Sequence, residues 1–294
     1  MPPLRTMRLR MRSVRNISQV TRALEAVSAS KVRKAQQAVL ATRAYAGKAF
    51  QVLQHLGTQP GSASSLHPLL QQRPAINKIT MVLITSDRGL CGAYNTNLAK
   101  LARHTIAEKY SSQLKRGNVV IWNIGKKGWE SMTRTGYKTS DAYKDIFLNL
   151  TFENVQAVSQ AAMKAFESRE FDAVELVYSE FKNAATQRFV VEQFLPIPKV
   201  QKKDGAKKAD FIFEPDKEAL IAELMPKILN TQLYKAVLDA NASEHGARMT
   251  AMDKASENAN ELLKILRVSY NRARQAAITT ELTEIVSGAA ALEG

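Results

Sequence analysis

The sequence predicts an α/β protein in which two very long terminal helices form an antiparallel coiled-coil shaft, joined to a central Rossmann-like α/β domain. Three observations lead to this prediction. Apolar residues recur every three or four positions over residues 4–56. The same periodicity returns after residue 215 and continues almost to the end of the chain. Between these stretches, short apolar runs alternate with helix-like segments, which is typical of βαβ units.

The first predicted element is one helix over residues 4–56. No proline follows Pro3, and Gly47 is the only glycine in this stretch. At ~1.5 Å per residue the helix would be roughly 80 Å long, longer than a compact domain of this size is wide. It therefore needs another long element as a partner. We expect its buried stripe to consist of the apolar residues Met7, Met11, Val14, Ile17, Val20, Leu24 and Val27, continued by Val39, Ala46, Phe50 and Leu53.

A break rich in glycine, proline and serine precedes the central domain. The predicted boundaries are an N-terminal coiled-coil helix at 1–56, a linker at 57–75, the α/β domain at 76–214 and a C-terminal coiled-coil helix at 215–294. The α/β domain should contain strands at 78–86, 118–124, 172–181 and 187–195 and helices at 95–110, 126–135 and 154–168. The last two strands flank a turn, which predicts a hairpin beside a partly parallel sheet. The charged residues 199–210 are predicted to form a solvated loop.

The last predicted element is a helix from Pro215 to about Ser287, roughly 105 Å long. Pro226 and Gly246 are the positions where we expect it to kink. Alanines around Ala276 should let the two terminal helices approach closely. An antiparallel coiled coil buries both apolar stripes. The alternative is that each helix packs separately on the α/β domain.

The formal net charge of +15 is unevenly distributed. Residues 1–50 contain eleven lysines and arginines and one acidic residue, Glu25, whereas the stretch after Arg274 contains three glutamates and no basic residue. Such a distribution predicts an acidic partner surface, which could be nucleic acid, anionic lipid or an acidic protein. Nucleic-acid binding by the N-terminal helix is therefore an alternative function. No apolar stretch approaches the ~20 residues of a membrane span.

The residue chemistry predicts no catalytic, cofactor or metal site. Cys91 is the single cysteine, which fits a reducing compartment, and the four histidines lack metal-ligand spacing. The segment Ser86–Gly92 follows a strand but matches neither a Walker A loop nor a dinucleotide fingerprint. We predict a structural turn in which Gly89 and Gly92 adopt unusual backbone angles. An enzyme that uses Cys91 as a nucleophile is the alternative.

Three segments carry a family resemblance. Residues 9–36 read LRMRSVRNISQVTRALEAVSASKVRKAQ, residues 86–95 read SDRGLCGAYN, and residues 242–292 contain ASEHGARMTAMDKASENA and YNRARQAAITTELTEIVSGAAAL. Together they resemble the γ subunits of bacterial F-type ATP synthases over nearly the whole chain. The resemblance implies a shaft that enters a ring of α and β subunits, and a foot near the ε subunit and the c-ring. Proton-driven c-ring rotation would turn the shaft and change the nucleotide affinities of the β subunits, which hold the catalytic sites.

The resemblance also implies roles for individual residues. Contacts to the β subunits are expected for basic and polar side chains of both terminal helices, namely Lys31, Arg33, Lys34, Arg274, Gln275, Thr279 and Glu281. The apolar shaft tip inside the ring would include Ile285 and Val286, and the foot beside the c-ring and ε would include Phe213, Glu214 and Asp216. The chain would have no cofactor and no nucleic-acid partner. It would lie at the cytoplasmic face of the bacterial plasma membrane, in contact with the membrane only through the c-ring.

Overall fold

The structure is a computed structural model that describes residues 4–58, 68–184, 186–198 and 217–293. Within these ranges, helices and strands follow one another in the order α1 Leu4–Thr58, β1 Ile79–Ile84, α2 Tyr94–Lys109, α3 Ser111–Lys115, β2 Val119–Ile124, α4 Lys126–Arg134, β3 Thr139–Ser140, α5 Phe152–Glu167, β4 Ala173–Phe181, β5 Gln187–Leu195 and α6 Lys217–Glu293. Short 3₁₀ turns lie at Pro68–Leu70 and Ile146–Asn149.

The chain divides into two compact units, and each long helix contributes to both. The helix-pair unit consists of Met1–Ser28 and Met249–Gly294, and the α/β unit consists of Ala29–Arg248. The domain boundaries proposed from the sequence, at residues 56, 75 and 214, stay predictions. The two units are described separately below.

The sheet of the α/β unit has the strand order β3-β2-β1-β4-β5. The pairs β1–β2, β1–β4 and β2–β3 are parallel, and β5 runs antiparallel to β4. This arrangement confirms the predicted partly parallel sheet with a terminal hairpin. The central strand β1 is buried along its whole length, as expected for a continuous apolar run in a parallel sheet.

Alternate side chains of β1 enter two hydrophobic clusters on the two faces of the sheet. Val82 and Ile84 belong to a cluster that also contains residues of α5 and α6, such as Phe166 and Leu229. Ile79, Met81 and Leu83 belong to a second cluster formed largely with α2. Helices therefore cover both faces, which is the layered architecture that the sequence predicted.

In the helix-pair unit, α1 and α6 pack as an antiparallel pair. Val14 is buried with Ala259, Leu263 and Leu266. Hydrogen bonds join Arg8 to Tyr270, Ser18 to Asn260 and Thr21 to Ser256, so partners on α6 move toward its start as α1 advances. This pairing confirms the predicted antiparallel coiled coil. In the α/β unit, Val32, Ala35 and Val39 of α1 likewise pack on Leu238 and Ala242 of α6.

Helix α6 contains Pro226 and continues past its predicted end at Ser287 to Glu293. The extension is consistent with the three alanines that follow Gly288, because alanine is the strongest helix former. Among the described residues, no helix combines the length and the apolar character needed to cross a membrane.

Candidate protein-interaction surfaces

The buried seam of the helix-pair unit combines apolar side chains such as Leu263 with small polar ones. Ser18, Thr21 and Ser28 are at most 8% exposed on α1, and Ser256 and Ala259 are at most 7% exposed on α6. The Thr21 and Ser256 hydroxyls lie 2.6 Å apart, and Ser18 donates to the Asn260 amide oxygen at 3.1 Å. Small side chains permit close approach, and the paired hydroxyl groups fix the register of the two helices.

This seam corrects one sequence-based expectation. The apolar periodicity predicts that Ile17, Val20 and Val27 lie in the buried stripe of α1, but each is more than half exposed. Val14 is buried as predicted, but beyond it the buried face is shifted by one position, to Ser18, Thr21 and Ser28. The reason is that positions 14, 18, 21 and 28 keep the spacing of three, four and seven residues that faces α6 along the pair, and Ile17, Val20 and Val27 lie beside that face.

We expect Thr21→Val to lower the free energy of unfolding by about 1 kcal/mol, because it leaves the buried Ser256 hydroxyl without this partner. Ser256→Ala should cost less, because the Thr21 hydroxyl still donates to the Ser18 carbonyl at 3.1 Å. The double variant should cost less than the sum of the two. Denaturant unfolding followed by helical circular dichroism would measure this cycle. Ser13→Ala, at an exposed position of the same helix, is the matched control and should have little effect. Additive effects of the two variants would show that the hydroxyls do not interact.

The C-terminal part of α6 is an exposed helix with large apolar side chains. Every residue from Ile278 to Leu292 is exposed. Ile285 and Val286, the predicted tip residues, are 68% and 66% exposed. Contiguous apolar surface of this kind marks a site of interaction with another molecule.

The predicted polar contacts on α6 also face solvent. Arg274, Gln275, Thr279 and Glu281 are all exposed. The Thr279 hydroxyl donates to the backbone carbonyl of Gln275 at 3.0 Å. The hydroxyl oxygen still has a lone pair that can accept a hydrogen bond from outside the chain.

The predicted basic group lies on α1 within the α/β unit. Lys31, Arg33 and Lys34 are exposed, while Val32 and Ala35 between them are buried against α6. Within the part of the chain that the structure describes, none of the three basic side chains forms an ion pair. Arg33 and Lys34 thus face away from the packing face, whereas Lys31 lies beside it and interacts electrostatically with Glu244 of α6. The predicted foot residues Phe213, Glu214 and Asp216 lie outside the described residues.

The segment Ser86–Gly92 forms the structural turn that the sequence predicted. Ser86 Oγ donates to the Arg88 carbonyl at 2.7 Å, and the Asn95 side chain bonds to both the backbone N–H and the hydroxyl of Ser86. Gly92 has a positive φ of 59°, as expected. The expectation for Gly89 was wrong, since Leu90 carries the second positive φ, at 64°. The Leu90 side chain is 64% exposed.

The surroundings of Cys91 do not favour nucleophilic chemistry. Its side chain is 2% exposed, and its sulfur accepts a hydrogen bond from the Asn95 amide at 3.2 Å. Burial raises the pKa of the Cys91 thiol, so the group is protonated near neutral pH, and the thiolate is the nucleophilic form. Among the described residues, no three histidine, cysteine or acidic side chains are placed to hold a metal ion.

Comparisons with known proteins place the chain in a family. Residues 3–292 match the family described as ATP synthase. The ATP synthase gamma chain of Chlorobaculum parvum is 44% identical over 293 residues, which cover 100% of both chains. The ATP synthase gamma chain of Cytophaga hutchinsonii is 45% identical over 296 residues, which cover 99% of both chains.

Solved structures share the fold. A chain in the OSCP/F1/c-ring structure of the Euglena gracilis mitochondrial ATP synthase matches 98% of this chain and 94% of its own length, with a TM-score of 0.64 and 20% identity. A chain in the rotor of the same enzyme matches 94% of this chain and 98% of its own length, with a TM-score of 0.61 and 19% identity. Taken with the full-length sequence matches, the result is unambiguous: the chain belongs to the family of ATP synthase gamma chains.

Proposed function

We propose that this chain is the rotating central-stalk subunit of an ATP synthase. In this role it catalyses no reaction itself and holds no nucleotide. Proton-driven rotation of the c-ring turns it, and its turning takes the three catalytic β subunits through different nucleotide affinities. The observation that carries the proposal is the exposed, largely apolar end of α6 in a chain whose full length matches gamma chains.

The end of α6 is suited to rotation against the surrounding subunits, because it offers few groups for strong, specific bonds. Residues 285–292 contain no charged side chain, and most of them are small. Apolar contact is non-directional, so it can be kept while the helix turns against its surroundings. We propose that Ile285 and Val286 lie inside the sleeve formed by the α and β subunits, with Arg274, Gln275, Thr279 and Glu281 in polar contact with β.

The basic group on α1 could transmit force to the β subunits without holding the shaft at one rotation angle. Lys31, Arg33 and Lys34 are exposed, and an exposed ion pair contributes only ~0–1 kcal/mol. Acidic loops on the three β subunits would therefore meet this face in turn, with no single pairing strong enough to trap one angle. The remaining partners in this proposal are the ε subunit and the c-ring at a foot that includes Phe213, Glu214 and Asp216. The complex would lie at the cytoplasmic face of the bacterial plasma membrane.

Reconstitution tests the proposal directly. The purified chain should have no ATPase activity, and with purified α and β subunits it should form a complex that contains one copy per three αβ pairs. Mass measurement of the intact complex gives this ratio. Three copies per complex, or no complex, would contradict the rotor function. Salt-dependent DNA binding that persists in the presence of α and β would instead support the nucleic-acid alternative.

The tip can be tested separately. The double change Ile285→Asp and Val286→Asp should weaken binding to the α–β ring at least about tenfold, because burying each apolar side chain contributes ~1.5–3 kcal/mol and a buried charge is unfavourable. Titration of a labelled chain into α and β subunits would measure this loss. Leu148→Asp in the α/β unit is the control, since Leu148 is similarly exposed, at 76%. Equal affinities of the tip variant and the unaltered chain would exclude the tip from the interface.

A further inference from the structure

Arg248 attaches helix α6 to the Ser86–Gly92 turn. Its Nη2 atom donates to the carbonyl oxygens of Gly89, at 3.2 Å, and Arg88, at 3.3 Å, and its Nε atom donates to Gly89 at 3.3 Å. The same guanidinium forms an ion pair of 2.7 Å with Glu244, one helical turn earlier. The side chains of Arg248 and Glu244 are only 12% and 9% exposed. Arg248 thus connects the buried Glu244 side chain of α6 to the exposed carbonyls of a turn that is distant in the sequence.

Other polar contacts hold the preceding turns of α6 in the α/β unit. Asp239 pairs with Arg43 of α1 at 2.8 Å. The backbone carbonyl of Ala240 accepts from the Tyr94 hydroxyl at 2.9 Å, and Ser243 donates to a β4 carbonyl at 3.2 Å. A further contact is steric, because a Cβ atom added at Gly246 would lie 2.8 Å from the Ala184 carbonyl oxygen.

These contacts are distributed around the helix axis. At ~100° per residue, positions 240, 243 and 246 lie within about 100° of position 239, whereas position 248 lies about 180° from it. Arg248 therefore holds the side of α6 opposite to Asp239. In the preceding turns α6 is also held by apolar packing, with Val237 and Leu238 in different clusters, and Arg248 extends the polar attachment to the last turn of the unit.

The place of Arg248 along the chain gives this attachment a functional meaning. Arg248 is the last residue of the α/β unit, and α6 continues unbroken from it into Met249 of the helix-pair unit. We propose that Arg248 is a positioning residue that locks the rotational angle of α6 in the α/β domain. Torque applied to the domain then turns α6 with it, because the helix cannot rotate about its own axis within the domain. This inference rests on the proposed rotor function.

The attachment requires the shape of a guanidinium group as well as its charge. The planar group presents several N–H donors in a fixed fork, which lets it bind two neighbouring carbonyls and the Glu244 carboxylate together. A lysine ammonium could keep the ion pair with Glu244, which is four residues away on the same helix. It is too compact to reproduce the fork. Arg248→Lys therefore separates the carbonyl attachment from the charge.

Cys91 provides a built-in reporter of the attachment. It is the single cysteine of the chain and is 2% exposed inside the turn that Arg248 holds. In the full-length chain, Arg248→Lys should increase the rate of Cys91 labelling by a maleimide at least about tenfold, since buried groups react through local opening. Arg188→Lys is the control, because its ion pair with Glu180 is long, at 3.8 Å, and its side chain is 62% exposed. A labelling rate equal to that of the control would overturn the proposed attachment.

The decisive measurement uses the assembled, membrane-reconstituted ATP synthase. We expect the Arg248→Lys complex to hydrolyse ATP at a rate close to normal, but to pump at most half as many protons per ATP hydrolysed. A merely structural role would lower assembly and both rates together, with their ratio unchanged, and that result would overturn the proposal. If Arg248→Lys fails to assemble, Glu244→Gln, which loosens the guanidinium without removing it, should lower the ratio to a smaller extent. Failure of the unaltered chain to assemble would instead overturn the rotor function itself.

Discussion

Replacement of Gly125 by alanine should strongly destabilise the α/β unit. Gly125 joins β2 to α4 with φ 102° and ψ 134°, a conformation that costs other residues about 1–3 kcal/mol. A Cβ atom here would also lie 2.7 Å from the carbonyl carbon of Thr85, so the backbone itself would have to move. We expect a total loss of more than about 3 kcal/mol in the free energy of unfolding. Urea unfolding followed by tryptophan fluorescence would measure it, since Trp122 and Trp129 both lie in this unit.

Gly117→Ala is the matched control for this prediction. Gly117 also has a positive φ, of 72°, but outside its chain neighbours no atom of the described residues lies within 4 Å of the position that a Cβ would occupy. Its replacement should cost only the left-handed backbone penalty of about 1–2 kcal/mol. If the two alanine variants lost equal stability, the steric part of the argument for Gly125 would be wrong.

Most helices and strands were predictable from the sequence, because apolar periodicity over a long segment identifies the type of element clearly. The helix expected at 4–56 spans Leu4–Thr58, and the strands expected at 172–181 and 187–195 are β4 and β5. The elements that were missed, α3 and β3, contain five and two residues. Such elements are too short to show a period, and tertiary packing determines them.

The buried face of α1 was less predictable than its helical structure. Periodicity identifies an apolar stripe, but it does not reveal which partner covers that stripe. Ile17 and Val20 face outward, because the intramolecular partner takes the neighbouring face with Ser18 and Thr21. The sequence alone therefore does not identify which of the apolar residues of α1 face α6.

The candidate surfaces show the same limit. Exposure of Lys31, Arg274 and Ile285 is consistent with the roles implied by the family resemblance. Arg248 was missed, because its carbonyl acceptors lie about 160 residues earlier in the chain and only the fold brings them together. The sequence does contain a local signal, namely a glutamate and an arginine four residues apart on either side of a helical glycine.

Removal of the Arg43 side chain should destabilise the α/β unit by about 3 kcal/mol at neutral pH, because it leaves the buried Asp239 carboxylate without its main cation. Arg43 donates to Asp239 at 2.8 Å and to the Phe181 carbonyl at 2.6 Å, and thereby joins α1, α6 and β4. The Asp239 side chain is fully buried, while Arg43 is 35% exposed, so water access should keep the loss in the lower part of the usual range. Arg188→Ala, which breaks the exposed 3.8 Å pair with Glu180, should cost less than about 1 kcal/mol.

The pH dependence of this loss separates the charge effect from simple loss of packing. Burial raises the pKa of the Asp239 carboxyl, and the Arg43 guanidinium opposes that rise. Without Arg43 the folded-state pKa should rise further above the unfolded value, so the folded state binds the proton more tightly and stability falls as pH increases through that interval. The cost of Arg43→Ala should therefore be smaller at about pH 5 than at about pH 8. Asp239→Asn in the same chain should remove most of this difference, whereas a cost independent of pH would mean that Arg43 acts through its packing and its bond to Phe181 alone.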